Sequence, residues 1–281
     1  MTLNAQAQAY SNSVVTFARL SAFVLSKQPG LMLFAAGMMG LGVLALVFGD
    51  FALVWQPVAP WFPARTALAY FSGVLMLLAG AGLLFRRTVA WSVRILFPYC
   101  IIWALLKVPA LVVAWRIEGV WLGIGELTLL LAGAWTLFAR LGEIRGTTLA
   151  WATGESGVRI ARYLFAVSVI PIGLSHLVYG QVTASYVPGW LPYRIGWAYL
   201  TGAGQIACGL GMLFSVLPRV AAWAETGMIG LFTLLVWAPA IVAEPKTRMP
   251  WTAFFISWVF GAAAWVVAQN VGARKTAEPR V

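Results

Sequence analysis

The chain has 281 residues, 62% of them hydrophobic and 10% charged, with a mean hydropathy of +0.87. A soluble domain carries about 25% charged residues, so this composition excludes a water-covered surface and places the chain in a bilayer. The net charge of +11 does not point to nucleic acid, because the cations are divided among short loops and not gathered on one face.

Residues 1–30 read as a cytoplasmic, interfacial segment. Val14, Val15, Phe17, Leu20, Phe23 and Val24 set against Arg19 and Lys27 suit an amphipathic helix lying flat on a membrane. Eight apolar runs of about 20 residues follow, each long enough to span. They are expected near 31–54, 66–85, 92–115, 119–139, 160–180, 195–216, 219–242 and 251–270. The fold class is therefore all-α integral membrane protein.

The segment from Val58 to Phe85 returns as Val187 to Phe214, with 190 − 61 = 129 for Trp61 and Trp190. Pro63, Arg65, Ala69, Tyr70, Gly73, Gly80 and Gly82 recur at Pro192, Arg194, Ala198, Tyr199, Gly202, Gly209 and Gly211. Pro109 recurs at Pro239, and 239 − 109 = 130, so one residue is inserted between. Such duplication organises the fold. Four spans per copy make the repeat parallel. The expected domains are a first four-helix bundle over 31–140, a cytoplasmic linker over 141–159, a second bundle over 160–270 and a cytoplasmic tail over 271–281. Small residues in the spans suit close helix approach in lipid.

Arg19, Lys27, Arg86, Arg87, Arg94, Arg140, Arg145, Arg159, Arg162, Arg219, Arg274, Lys275 and Arg280 fall at one end of this topology. Arg65, Lys107, Arg116, Arg194, Lys246 and Arg248 fall toward the other. The positive-inside rule then places the chain in an inner, bacterial-type membrane as a multi-pass protein with both termini cytoplasmic. Cys100 and Cys208 lie within spans and read as inert buried thiols.

The stretch "VPGWLP" followed by "WAYLTGAGQIACGLGMLF", with His176 late in the preceding span, resembles the DoxX-like family of small four-span membrane proteins. The first half is similar through "VAPWFP" and "LAYFSGVLMLLAGAGLLF". The resemblance implies a four-helix membrane unit, often tied to redox work on quinones or sulfur and thiol compounds. It supplies fold better than function.

Ionisable groups inside spans are the candidates for chemistry. Lys107 and Glu126 lie at matching depth, 116 − 107 = 9 residues before Arg116 and 126 − 118 = 8 residues after Glu118. They read either as a self-neutralising pair or as a polar floor with Glu126 accepting a proton. Asp50 and His176 close the first and fifth spans and are expected at corresponding places. Two outer pockets follow, Asp50 with Trp61, Arg65 and Tyr70, and His176 with Trp190, Arg194 and Tyr199. The arginines read as interfacial anchors or as ligands. His176 reads as a packing residue or as a proton acceptor or hydrogen-bond donor to a quinone. His176 and Glu126 are the catalytic candidates. Glu225 has no assigned role.

One histidine excludes a bis-histidine haem, and no metal site, flavin motif or GxSxG hydrolase motif is present. Quinone is the one cofactor considered. The partners expected are membrane lipid, a redox protein and a further copy of the chain, with no nucleic acid. The function expected is a membrane subunit of a quinone-linked or sulfur-linked redox pathway. The alternative is a non-catalytic carrier, lipid-binding or assembly protein.

Overall fold

The structure, a computed structural model, describes residues 28–53, 55–144 and 148–271. The expected interfacial segment before Gln28 and the tail after Val271 lie outside the described residues. The described chain is helical, with no strand among its residues. Its helices are α1 Pro29–Phe48, α2 Arg65–Gly82, α3 Val89–Ala114, α4 Glu118–Leu141, α5 Gly154–Val178, α6 Gly180–Tyr186, α7 Arg194–Leu213, α8 Pro218–Phe232, α9 Ala238–Ala243 and α10 Arg248–Asn270. A π-helical turn, Thr233–Trp237, joins α8 to α9.

Seven helical runs are long and apolar enough to cross a membrane: α1 to α5, the continuous run Pro218–Ala243, and α10. The eighth expected run is also helical, as α7, 20 residues long, but it is not among these seven. Its glycines, with Thr201 and Gln205, dilute its hydropathy below that of the seven. It packs between α5 and α8.

Local sequence sets the helix ends. Proline opens α1 and α8, where the missing N–H costs nothing. Gly49 closes α1 at φ 61, a left-handed turn that suits glycine. Ala64 and Tyr193, at corresponding places before α2 and α7, share φ values of 53 and 58.

The two halves make the same contacts. A Cβ on Gly42 would meet the Gly73 carbonyl at 2.7 Å, and one on Gly173 would meet the Gly202 carbonyl at 2.6 Å. Trp121 donates its indole N–H to the Trp115 carbonyl, and Trp251 donates to that of Pro245, both at 2.8 Å. These contacts establish the correspondence: 202 − 73 = 129 for the second helix of each half, 251 − 121 = 130 for the last, and 173 − 42 = 131 for the first.

The π turn accounts for the step from 129 to 130. Ser92 and Ala221 both face the second-helix glycine, Gly82 and Gly211, with 221 − 92 = 129. Beyond the turn the offset is 130. A π turn closes with one residue more than an α turn, so it absorbs the inserted residue without re-aiming the rest of the helix.

Each half's last helix packs on the other half's first helix: α4 on α5, and α10 on α1. The last helices also meet each other, and a Cβ on Gly133 would stand 2.5 Å from that of Ala263. These are corresponding residues, since 263 − 133 = 130. The seams are complementary in size. Gly125 of α4 makes room for Pro171 of α5, whereas at the corresponding places Phe255 of α10 fills the space over Gly40 of α1. Phe34, Met38, Leu41, Leu127, Leu129, Leu130 and Phe165 are fully buried.

Candidate functional site

At the end of the bundle with few cations, the loop after α1 forms a cross-half clamp. Arg65, at the start of α2, pairs with Asp50 through Oδ1. Arg248, at the start of α10, reaches the same carboxylate from the other half, Nη1 to Oδ2 at 3.0 Å, and also donates to the Phe51 carbonyl. The Phe51 amide donates to Asp50 at 2.7 Å. Burial alone would raise the Asp50 carboxyl. The bonds from Arg248, the Phe51 amide and Arg65 overcome it and hold the group below its ordinary value of 3.8.

The first expected pocket is therefore half assembled. Arg65 covers Asp50, but Trp61 is 81% exposed and does not. Tyr70 places its hydroxyl 2.9 Å from where a Gly49 Cβ would be. Sequence reasoning missed Arg248, because its place in the repeat lies 198 residues from Asp50. An exchange of last helices between halves was the only signal that could have found it.

The expected correspondence of Asp50 with His176 does not hold. Gly73 faces Ala45 and Leu46, and Gly202 faces His176 and Leu177. His176 thus occupies the place of Ala45. Asp50 corresponds to Gln181, by 181 − 50 = 131. His176 does not join Trp190 and Arg194. Its Nδ1 lies 3.0 Å from the Thr201 hydroxyl, and its ring lies 5.7 Å from that of Phe232. Tyr199 packs over Gly180.

Trp190 and Arg194 line a different space. A groove of about 670 Å³ runs between the loop after α6 and the π turn with α9. Tyr186 and Trp237 form its aromatic wall, ring centroids 5.3 Å apart. Glu244 and Leu235 complete its rim. Arg194 is exposed, with Nη2 3.4 Å from where a Gly189 Cβ would be.

Lys107 reaches across to α4, where its Nζ lies 3.0 Å from a Cβ built on Gly123. Glu126 is one turn deeper on α4 and is close enough to feel the Lys107 charge. Glu118, at the place of Arg248 in the repeat (248 − 118 = 130), has both carboxylate oxygens hidden from solvent and without a hydrogen-bond partner among the described residues.

Two further polar clusters lie inside. Gln56 donates to the Ser72 and Tyr99 hydroxyls, both at 2.8 Å. Gln205 donates to Glu225 at 3.1 Å, which gives Glu225 its partner; both side chains are buried. The first half has Met76 and Leu96 there, so this polar pair belongs to the second half alone. Cys100 and Cys208 are buried and free, as expected. No cluster of metal-binding side chains occurs among the described residues.

Residues 165–268 match the model of a family described as a domain of unknown function, DUF8561. The match lies on the half that carries His176, the groove and Glu225. No curated protein and no solved structure matches the chain.

Proposed function

We propose that the chain is an inner-membrane protein of two parallel DoxX-like four-helix units, and that its second unit binds the planar headgroup of a quinone in the groove walled by Tyr186 and Trp237. The cation-rich end faces the cytoplasm, and both termini lie there. The observation that carries this reading is the release of Arg194. Its counterpart Arg65 is held by Asp50. In the second half Gln181 replaces that acid, and Arg194 lines the groove.

The groove has what such a headgroup needs. Aromatic rings stack on a flat π-system. A guanidinium donates charge-assisted hydrogen bonds to a carbonyl oxygen and strengthens as that oxygen gains negative charge on reduction. Leu235, 40% exposed, leads from the groove toward lipid, where an isoprenoid tail belongs. Electrons come from a partner enzyme acting on sulfur or thiol compounds, since the chain has no redox cofactor motif.

Titration of the detergent-solubilised protein with a short-chain ubiquinone analogue tests the binding step. Saturable binding is expected, weakened about tenfold by Arg194→Ala and by Trp237→Ala, on the scale of one charge-assisted bond or one stacked ring. An absence of saturable binding refutes the reading. A non-catalytic amphiphile-binding role is the second reading. It is favoured by one observation: His176 is engaged by Thr201 and Phe232, away from the groove. Retention of a lipid in the groove with no quinone affinity would select it.

A further inference from the structure

We propose that the cavity at the cation-rich end, between α1, α4, α8 and α10, binds the phosphate of an anionic phospholipid. The cavity measures about 600 Å³ and is lined by Gln28, Arg140, Arg219, Trp223 and Asn270 among others. It lies where α10 meets α1.

Its counterpart, where α4 meets α5, is filled. There the linker folds over the helix ends. Arg94 donates to the Gly142 and Glu143 carbonyls at 2.7 and 3.0 Å. Trp135 donates its indole N–H to Ala152 at 3.0 Å, and Trp151 stands edge-on against it at 5.6 Å. On the cavity side the corresponding tryptophan is Trp265 (265 − 135 = 130). Its indole nitrogen is buried and has no hydrogen-bond partner among the described residues. Trp223 takes the place of Arg94 (223 − 94 = 129) and stands edge-on to Trp265 at 5.3 Å. Arg219 takes the place of Ala90. At the places of Ala90 and Arg94 the second half has Arg219 and Trp223, which moves the cation by one turn of the helix.

Two helix starts and two arginines converge there. Helices α1 and α8 both begin at the cavity, and neither has a side-chain cap or an acidic residue in its first turn. Uncapped helix starts favour anions. Arg219 has no ion pair or hydrogen bond among the described residues. Arg140 holds Asn270 at 2.8 Å and Glu155 at 2.6 Å, and a guanidinium has further N–H donors. The chain cannot neutralise this end itself. Against the thirteen cations assigned there from sequence stand Glu143, Glu155 and Glu278, Glu225 being buried against Gln205. Basic pockets between helices at such an interface suit anionic headgroups.

Native mass spectrometry of the full chain with phosphatidylglycerol, phosphatidylcholine or inorganic phosphate tests this. A retained phosphatidylglycerol adduct is expected, with phosphatidylcholine held at least about tenfold more weakly. Arg219→Gln should weaken the adduct about tenfold, the size of one lost charge-assisted bond. Arg87→Gln, at the same end but outside the cavity, should leave it unchanged. Equal retention of both lipids, or an adduct insensitive to Arg219→Gln, overturns the proposal. Protection by inorganic phosphate without lipid retention assigns the site to a soluble anion and also overturns it. None of these outcomes depends on quinone binding.

Discussion

Gly40→Ala tests the seam by which α10 of one half packs on α1 of the other. A Cβ at residue 40 would lie 2.1, 2.2 and 2.7 Å from three atoms of the Phe255 ring. Ordinary carbon contacts begin near ~3.5 Å, so the ring or the helix must retreat by about 1.4 Å (3.5 − 2.1). The ring is not free to do so. It stacks on Trp251 at 6.4 Å and meets Phe254 edge-on at 5.3 Å. Overpacking of this kind costs about 1–3 kcal/mol. Alanine's better helix propensity returns about 1 kcal/mol, so the net loss is up to about 2 kcal/mol, or up to roughly 8 °C in Tm for a chain of this size. Gly227→Ala is the internal control, since nothing lies within 4 Å of its added Cβ. It should be neutral or stabilising by up to about 1 kcal/mol. Thermal scans in detergent with size-exclusion readout measure both. The decisive variant is Gly40→Ala with Phe255→Leu, whose Tm should exceed the sum of the single effects, because contacting residues couple. Strict additivity, or a Gly40→Ala Tm as high as that of Gly227→Ala, would refute the packing argument.

The Asp50 clamp should be visible as a pH dependence. A carboxyl held below 3.8 contributes stability that is fully present above that pH and is lost as pH falls through its folded-state value. The carboxylate is 24% exposed, so Asp50→Asn should cost about 1–2 kcal/mol at pH 7, less than a fully buried pair. The gap between the wild type and Asp50→Asn should be full near neutral pH and narrow as the pH falls below about 3.8; a gap that stays constant down to the acid limit of folding would remove the clamp's ionic basis. His176→Ala should leave quinone-analogue affinity in the groove within about twofold, because its partners are Thr201 and Phe232 and distant sites add independently. A tenfold loss would return His176 to the binding site.

Hydropathy and the repeat made the helices legible. Each expected run is helical, seven of the helical runs being long and apolar enough to span a membrane, and Gly73, Gly80, Gly202 and Gly209 meet backbone across α1–α2 and α5–α7. What they could not show was which helix packs on which. Phe255 and Gly40 look unremarkable in their own spans, and only their contact across the halves explains both. The same limit hid Arg248 from Asp50. The match of Asp50 with His176 implies an offset of 126 (176 − 50), whereas the contacts of the first helix require 131. The repeat is strong only from Val58 onward, so nothing in the sequence fixed the register of the first helix. Trp190 and Arg194 were found from their motif, but the facing wall, Tyr186 and Trp237, depends on how the π turn presents α9.

That turn supplies a sharper test of the duplication than any substitution. An α-helix advances about 100° per residue, so deleting one residue from a regular helix rotates everything beyond it off its partners. Leu105 and Leu235 correspond, by 235 − 105 = 130, and both are exposed, at 62% and 40%. Deletion of Leu105 from α3 swings Lys107 away from Gly123 and Glu126, and that variant should fail to yield monodisperse protein. Deletion of Leu235 removes the extra residue of the π turn, and the run from Pro218 to Ala243 can then continue as α-helix with its far end in register. The Thr233–Ser257 hydroxyl contact at 2.7 Å is the one bond put at risk, at a cost of about 1 kcal/mol. The Leu235 deletion should therefore express and keep its Tm within about 5 °C of the wild type. If both deletions fail alike, the π turn is not the inserted residue of the repeat. If both are tolerated, the outer half of α3 is not held in register by Lys107 at all.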